Sequence, residues 1–347
     1  MAMDLAGLRT PIVAAPMAGG PSMPELVAAV GRAGGLGFLA AGYKTPAALA
    51  AQVGTLREIS GAPFGVNLFV PGPVPDVASI AAYRAELAVE AARYDVDLPE
   101  PDPADDDYWD EKLAFLLADP VPVVSFTFGP PPADVVAGLH RVGTYVVGTV
   151  TSVAEARAVA ALGVDALCVQ GPEAGGHSGM HDPYAAPPAV PLLELLASVR
   201  SATSLPLVAA GGIATGADAA AALRAGAQAV QLGTAYLRTP ESGAKPAHKR
   251  ALADQRFAET VVTRAFSGRP ARGLRNRFIE EHDATAPAGY PLVNQLTQPL
   301  RAAAASQDDP DGLALWAGTG YRHAQDVPAE ALTAELWSAA QAAQSSQ

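Results

Sequence analysis

A glycine-rich segment that carries one histidine offers the clearest chemistry in this chain. The segment Gln170–Gly179 reads QGPEAGGHSG. Its glycines and proline argue against a regular helix or strand, so it is predicted to be a flexible loop that presents His177. Histidine is the side chain best suited to moving protons near neutral pH, which makes His177 a candidate general base. An exposed histidine without a function is the alternative interpretation.

Other reactive side chains are weaker candidates. His181 lies close enough in the chain to compete with His177. Cys168 is the single cysteine, so no intramolecular disulfide can form. It falls inside a predicted strand, where a cysteine is usually a small buried hydrophobe. No HExxH or CxxC spacing occurs, and no metal site is predicted.

Two glycine-rich strand ends have the residue types that bind a phosphate. These are Ala209–Gly212 and Gln231–Thr234. Glycine lets the backbone approach an anion closely, and the free amides at the start of a following helix complete such a site. In (β/α)₈ barrels the loops after strands seven and eight often have this role. Tight turns without a ligand are the alternative, while the dinucleotide fingerprint and the Walker A motif are both absent.

Two amide side chains interrupt apolar runs. Asn67 lies in the third predicted strand, and Gln170 ends the sixth. Buried amides need hydrogen-bond partners, and a flavin pyrimidine ring offers both donors and acceptors. The capping of a turn is the alternative role for Asn67.

The elements that position these residues follow an alternation of short apolar runs and alanine-rich amphipathic segments, which is typical of parallel βα units. Helix starts are predicted at Ser22, at Ser152 with Glu155, and at Thr215. Eight strands are predicted, at Pro11–Met17, Leu36–Ala41, Phe64–Val70, Pro122–Phe128, Tyr145–Val150, Ala166–Gln170, Leu207–Ala210 and Ala229–Leu232. The pattern therefore predicts an α/β fold, a (β/α)₈ TIM barrel.

Two segments do not fit the repeat. Residues 71–120 are predicted to be an insertion after strand 3, helical at Ile80–Arg93 and Asp110–Ala118, which is expected to shape a lid. Residues 240–347 are predicted to be a mainly helical extension that packs on the barrel, with loops at Ser267–Arg277 and a frayed end at Gln341–Gln347. The barrel, as the cofactor-binding part, would then span residues 1–239.

Composition excludes several classes of protein. The 347 residues carry a formal net charge of −12, which argues against a nucleic-acid binder. Half of the residues are hydrophobic, enough for a large core. No apolar run reaches the length of a membrane span, and residues 1–10 lack the pattern of a secretory signal. A cytoplasmic location is therefore expected.

The motifs together resemble the nitronate monooxygenases, formerly called 2-nitropropane dioxygenases, over nearly the whole chain. The run Asn67–Pro71 points to the bacterial and fungal class that does not react with NADH. The segments that carry the resemblance are Pro16–Gly20, Ala33–Leu39, Phe64–Pro71, Val124–Phe126, Phe128–Gly129, Glu173–Gly179, Ala209–Ile213, Gln231–Thr234 and Arg269–Gly273.

The resemblance implies a noncovalent FMN and an active-site histidine at His177. It implies oxidation of an alkyl nitronate by O₂ to a carbonyl compound and nitrite. His177 is expected to hold the nitro oxygens, as a protonated or neutral donor, or to take the α-proton of a neutral nitroalkane. The residues expected to contact FMN, with Met17 beside the isoalloxazine, are Met17, Asn67, Gln170, Gly175, Gly176, Gly211, Gly212, Gln231, Leu232, Gly233 and Thr234.

Several points stay open in the sequence. Ser178 stands where many relatives carry arginine or a larger residue, which bears on substrate preference. Tyr290 and Tyr321 are candidates for lining the pocket. The physiological nitronate, the use of NAD(P)H, and the choice between a monomer and a homodimer are not determined.

Three other functions compete with this interpretation. An FMN- and NAD(P)H-dependent enoyl reductase shares the barrel and the histidine loop, but the run Asn67–Pro71 and the insertion argue against it. An enzyme similar to inosine-monophosphate dehydrogenase needs a loop cysteine, whereas Cys168 is in a strand. A non-catalytic flavin binder would have no need of His177.

Overall fold

The computed structural model describes residues 4–345 and contains the predicted barrel. Eight parallel strands close in the order β1-β2-β3-β4-β5-β6-β8-β9, and the pairing of Ile12 with Val230 joins the last strand to the first. The first strand is shorter than predicted and ends at Ala14. The barrel strands are β1 Ile12–Ala14, β2 Leu36–Ala40, β3 Phe64–Phe69, β4 Val123–Thr127, β5 Tyr145–Val150, β6 Ala166–Gln170, β8 Leu207–Ala210 and β9 Ala229–Leu232.

Helices cover the barrel and build a second layer above it. Among the described residues none of them is long and apolar enough to cross a bilayer. The helices are α1 Pro24–Arg32, α2 Pro46–Ile59, α3 Val77–Glu86, α4 Ala88–Tyr94, α5 Trp109–Ala118, α6 Ala133–Arg141, α7 Val153–Ala160, α8 Leu192–Ala202, α9 Gly216–Arg224, α10 Pro246–Ala251, α11 Arg277–His282, α12 Leu292–Ser306 and α13 Ala329–Ser345.

Two of the three predicted helix starts are confirmed. Ser152 accepts the amide of Glu155, and Thr215 forms a full capping box with Asp218 at α9. The prediction for Ser22 was wrong, because Met23 is the N-cap of α1. The Ser22 hydroxyl accepts the Met17 amide at 2.8 Å instead, so it supports the loop that follows β1.

The final helix completes the outer ring of the barrel. α13 packs against α9 and α1, and its buried residues Leu332, Leu336 and Ala340 belong to the same core as the barrel strands. The predicted fraying was wrong for Gln341–Ser345, which belong to α13, and the last two residues of that prediction lie outside the described part of the chain. The division at residues 239 and 240 stays a prediction, but the last helix of the second part packs as a barrel helix.

The insertion and the C-terminal part share a second hydrophobic core. Ile80 and Tyr83 of α3 pack with Phe266 and Leu296, and the Tyr83 hydroxyl donates to the Ala265 carbonyl at 2.7 Å. A small antiparallel sheet adjoins this core. Its central strand, β11 Ala271–Leu274, pairs on one side with β10 Thr260–Thr263 and on the other with a two-residue strand, β7 Gly176–His177. The extension was predicted to be mainly helical, and this sheet was missed.

A buried carboxylate connects the insertion to α11. The Glu90 side chain is fully buried and accepts from both terminal nitrogens of Arg277, at 2.7 and 2.9 Å, and from Arg93 at 2.7 Å. Burial by itself raises the pKa of Glu90, but neighbouring His282 and Arg277 outweigh it and hold that pKa below its ordinary value. The charged form of Glu90 therefore stabilises the attachment of the insertion.

We expect Glu90→Gln to lower the free energy of unfolding by about 3 kcal/mol, as measured by urea denaturation. That value is the low end for breaking a buried ion pair, because Arg93 and Arg277 are partly exposed. A lowered carboxyl pKa stabilises the fold above the unfolded pKa, and this contribution is lost as pH falls through the folded pKa. The difference in unfolding free energy between the wild type and Glu90→Gln should therefore narrow below pH ~4. The exposed Glu86→Gln is the control, and equal stability of both variants would contradict this role.

Candidate active site

One cavity of about 580 Å³ lies at the carboxyl ends of the barrel strands and continues into the barrel interior. Every residue predicted to bind the cofactor or to act on substrate lines it. These residues are Met17, Asn67, Gln170, Gly175, Gly176, His177, Gly211, Gly212, Gln231, Leu232, Gly233 and Thr234. The barrel thus brings together side chains that are separated by more than two hundred positions in the sequence.

The glycine-rich loops pack against one another backbone to backbone. Gly211 and Gly212 have φ values of +111° and +69°, which other residues rarely adopt. A Cβ on Gly175 would lie 2.4 Å from the amide nitrogen of Gly318. The Thr234 hydroxyl oxygen accepts that same Gly318 amide at 3.0 Å, which leaves the hydroxyl proton available for an anion in the cavity. This arrangement suits a phosphate held by backbone and hydroxyl groups.

Two of the amides near the predicted phosphate site have partners within the protein. The amides of Ala214 and Thr215, at the start of α9, donate to the Asp218 carboxylate at 3.1 and 2.9 Å. Because both amides are bonded to the Asp218 carboxylate, they are not free for a ligand. The glycine loops and Thr234 remain as the candidate phosphate contacts.

Asn67 is held in a fixed orientation by its neighbours in β4. Its amide nitrogen donates to the Ser125 hydroxyl at 2.9 Å and to the Thr127 hydroxyl at 3.0 Å. Within residues 4–345 its Oδ1 accepts no hydrogen bond, so it presents an acceptor to the cavity. Gln231, on the opposite side of the barrel, donates to the Cys168 sulfur at 3.4 Å.

The histidine segment is a loop, as predicted, except at Gly176–His177, which form the short strand β7. The Gln170 side chain donates to the His177 carbonyl at 3.2 Å and accepts the Gly179 amide at 2.6 Å. Pairing of His177 with Ala271 fixes the segment as an edge strand of the small sheet. The partner strand lies more than ninety residues away, so the local glycine pattern could not reveal this pairing.

Aromatic rings and one serine surround the His177 imidazole. Its Nε2 lies 2.8 Å from the Ser267 hydroxyl. The centroids of the Phe128, Tyr290 and Trp316 rings lie 5.6, 6.0 and 5.4 Å from the imidazole centroid. These rings shield part of the imidazole from solvent, while Ser267 contacts one of its nitrogens.

The surroundings of His177 favour its neutral form. Burial, reinforced by the positive charges of Arg269 and Arg301, lowers the pKa of His177 to about 3. At neutral pH the imidazole is therefore unprotonated and has a free lone pair, although the lowered pKa also makes it a weaker base. The protonated donor considered from the sequence is disfavoured.

The environments of the other two reactive side chains, His181 and Cys168, indicate structural roles. His181 places Nε2 3.0 Å from the Thr149 carbonyl, and its amide donates to Glu155 at 2.8 Å. Burial raises the pKa of the Cys168 thiol to about 12, so it stays protonated at neutral pH. Neither residue has the environment expected of a base or a nucleophile.

The three residues left open by the sequence have different environments. Ser178 donates its amide to the Pro270 carbonyl at 2.8 Å. Tyr290 lies behind the cavity wall and contacts the rings of Phe128 and His177. Tyr321 is buried in the second core, where its hydroxyl donates to the Phe257 carbonyl at 2.7 Å, so its predicted place in the pocket lining was wrong.

Sequence reasoning missed four residues in or beside the cavity. Ser267 and Arg269 fell in a segment interpreted as a loop, and Arg269 was noted only within a motif. Tyr43, which lines the cavity at the end of β2, and Trp316 had no motif. The arginines in the loop from Ser267 to Arg277 were the one available signal in the sequence. An arginine is rarely fully buried unless its charge is paired or has a role.

Comparisons with known proteins agree with this geometry. A family model described as nitronate monooxygenase matches residues 3–338. A probable nitronate monooxygenase of Bacillus subtilis is 39% identical over 319 residues, which is 91% of each chain, and one of Staphylococcus saprophyticus is 37% identical over 336 residues, 94% of each. The structure of nitroalkane oxidase from Streptomyces ansochromogenes matches with TM-score 0.96 and 52% identity over 99% of both chains. FabK from Thermotoga maritima matches with TM-score 0.78 and 27% identity over 99% of this chain and 96% of that one.

Proposed function

Because the chain belongs to the nitronate monooxygenase family, whose members depend on flavin, we propose that it uses FMN to oxidise small alkyl nitronates with O₂ to a carbonyl compound and nitrite. The observation that supports this most directly is a partly buried His177, whose lowered pKa favours the neutral form, in the same cavity as the glycine-rich loops. Nitroalkanes are the neutral substrates of the same site.

The residues around the cavity fit FMN in two regions. The phosphate would be held by Gly211, Gly212 and Gly233 and by the free proton of the Thr234 hydroxyl. Asn67 would offer its unused carbonyl oxygen to a ring N–H. When bound, FMN supplies the transfer of electrons from the nitronate to O₂.

The Gln170, Gln231 and Met17 side chains complete the cofactor wall. Gln170 uses one amide proton on His177, so its second proton remains for a ring oxygen or nitrogen. Met17 lies beside Gly233, where its sulfur is 3.7 Å from the position of a Cβ on that glycine. Its thioether offers a polarizable surface to an aromatic ring. Gly175, Gly176 and Leu232 supply close backbone surface on the same wall.

We propose that Ser267 selects the tautomer of the imidazole. The Ser267 hydroxyl oxygen lies 3.3 Å from the Arg269 carbonyl, to which it can donate, and 2.8 Å from Nε2 of His177. If the hydroxyl donates to that carbonyl, its lone pair accepts Nε2–H, and Nδ1 carries the imidazole lone pair. His177 is thereby prepared to accept the α-proton of a nitroalkane. A nitronate already lacks that proton and needs His177 for orientation alone.

We expect Ser267→Ala to lower kcat/KM for nitroethane by about 10-fold. The loss corresponds to about 1–1.5 kcal/mol for one net hydrogen bond that selects the productive tautomer. Pre-formed ethylnitronate should be affected less, because its oxidation needs no proton removal. Parallel assays of both substrates measure this difference, with the exposed Ser198→Ala on α8 as the control. Equal losses for both substrates would show that Ser267 does not act through the tautomer of His177.

An absorbance spectrum of the purified protein, followed by oxygen uptake with ethylnitronate, tests the proposed function. We expect a flavin spectrum, release of FMN on denaturation, and oxygen consumption with production of nitrite. A colourless protein that cannot be reconstituted with FMN would refute the proposal.

Two further outcomes would favour the alternatives. Rapid bleaching of the flavin by NADH under anaerobic conditions would support the FMN- and NAD(P)H-dependent reductase. A flat oxygen trace with several nitronates and saturating FMN would support a non-catalytic flavin binder.

A further inference from the structure

A buried arginine without an ionic partner lies next to His177. Arg269 is 2% exposed, and its guanidinium carbon lies 4.0 Å from the centroid of the Phe128 ring. The guanidinium donates to the Met180 carbonyl and, at 3.5 Å, to the Phe128 carbonyl. Its Nε has no hydrogen-bond partner within residues 4–345. A charge so deeply buried is costly unless it meets an opposite charge.

No carboxylate forms a salt bridge with this guanidinium in the part of the chain that the structure describes. Burial lowers the pKa of Arg269 to about 10, so it still carries its charge at neutral pH. A second cation, Arg301, also binds uncharged groups, the Asn294 side-chain and backbone oxygens at 2.8 and 3.0 Å. The other titratable groups that act on Arg269 are Tyr290, Tyr43, Glu155 and Asp182.

Arg269, Phe128 and His177 follow one another along the wall of the site. Phe128 places one face against Arg269 and contacts the His177 ring at 5.6 Å, nearly edge-on. Phe128 lines the cavity, so the positive charge lies one aromatic ring away from it. The backbone carbonyl of Arg269 accepts a hydrogen bond from the Ser267 hydroxyl, and the same hydroxyl contacts the His177 imidazole. Ser267 therefore connects the Arg269 backbone to His177.

We propose that Arg269 determines which form of the substrate the enzyme prefers, by placing an uncompensated positive charge beside the cavity that favours a bound nitronate anion over a neutral nitroalkane. This inference rests on the proposed function. A nitronate brings a full negative charge into this field. When His177 takes the α-proton of a nitroalkane, the C–H electron pair becomes part of the nitronate and the proton stays on the imidazole. Arg269 attracts the new anion but repels the new imidazolium, so its net effect there is small.

The test compares Arg269→Met with the wild-type holoenzyme, using ethylnitronate and nitroethane at matched FMN content. Methionine keeps an unbranched, polarizable side chain against Phe128 and removes the charge. We expect kcat/KM for ethylnitronate to fall about 10-fold or more, and kcat/KM for nitroethane to change less than about threefold. The charge-retaining Arg269→Lys should keep the ratio of these two kcat/KM values within about threefold of wild type. Arg264→Met is the control, because Arg264 lies in the same segment but makes no cation-π contact with Phe128.

A pH profile supplies a readout that a structural role would not change. The wild type should show no acid limb from His177 between pH 5 and 8, because burial and the charges of Arg269 and Arg301 lower that pKa. Removal of one positive charge should raise the pKa of His177, so Arg269→Met should bring an acid limb towards that range in nitroethane turnover.

Three results would overturn the inference. If the ratio of kcat/KM for ethylnitronate to kcat/KM for nitroethane is unchanged in folded, FMN-loaded Arg269→Met, this inference is contradicted, but the proposed function is not. A wild-type acid limb near the ordinary histidine pKa of about 6.5 contradicts it even if that variant does not fold. A wild type that oxidises neither substrate overturns the proposed function, and this inference with it.

Discussion

Replacing His177 with asparagine is expected to slow the turnover of nitroethane by about 10²- to 10⁴-fold, the range typical of a lost general base. The imidazole is neutral because burial and the charges of Arg269 and Arg301 lower its pKa to about 3, so it accepts the α-proton without first losing one. Asparagine keeps a polar side chain of similar reach but cannot accept that proton. Steady-state kinetics with nitroethane and with pre-formed ethylnitronate measure the effect.

The comparison between the two substrates separates base catalysis from binding. Oxidation of ethylnitronate should fall far less, and the affinity for FMN should stay within about threefold, because Gly212 and Thr234 are unchanged. His181→Asn is the matched control, since its imidazole is bound to the Thr149 carbonyl and does not line the cavity. Unimpaired nitroethane turnover in His177→Asn would remove His177 from the role of base.

The barrel was predictable because each βα unit carries its own signal. The eight apolar runs and the capping residues Ser152 and Thr215 act over a few positions, and burial of the strands on both faces makes the runs continuous. Ser22 failed as a cap because its hydroxyl has a better-placed partner in the Met17 amide, five residues back. A cap assigned from residue type alone cannot account for such competition.

The second layer was less predictable because its contacts join distant segments. β7 exists only because Ala271 pairs with His177, and Glu90 is buried only because Arg277 neutralises it. The residues of the candidate site likewise fall into a predictable group and an unpredictable one. Glycines and the histidine were visible in local motifs, whereas Ser267 and Arg269 acquire their importance from a side chain ninety residues earlier.

Replacing Gly175 with alanine is expected to weaken the binding of FMN by roughly 10- to 100-fold. The added Cβ would lie 2.4 Å from the amide nitrogen of Gly318 and 2.6 Å from the carbonyl carbon of Ala317. Both contacts are to backbone, so the two loops must move apart, and overpacking of this kind costs about 1–3 kcal/mol. That movement would also disturb the Gly318 amide that orients the Thr234 hydroxyl. Fluorescence titration of the apoprotein with FMN measures the change.

Two alanine controls separate packing from backbone strain. Gly72 has no atom within 4 Å of a new Cβ, so Gly72→Ala should bind FMN as the wild type does. Gly176 also has open space but a φ of +75°, so Gly176→Ala tests strain alone and should cost only a few-fold.

Riboflavin, which lacks the phosphate, identifies the part of the cofactor that Gly175 serves. If the glycine loops form the phosphate site, Gly175→Ala should weaken FMN more than riboflavin, and the affinity advantage of FMN should shrink. Equal weakening of both ligands would mean that Gly175 positions the ring, and the phosphate would then depend on Gly211, Gly212 and Gly233 alone. Unchanged affinity for both ligands would place FMN away from the contact between Gly175 and Gly318, and the proposed cofactor site would have to be abandoned.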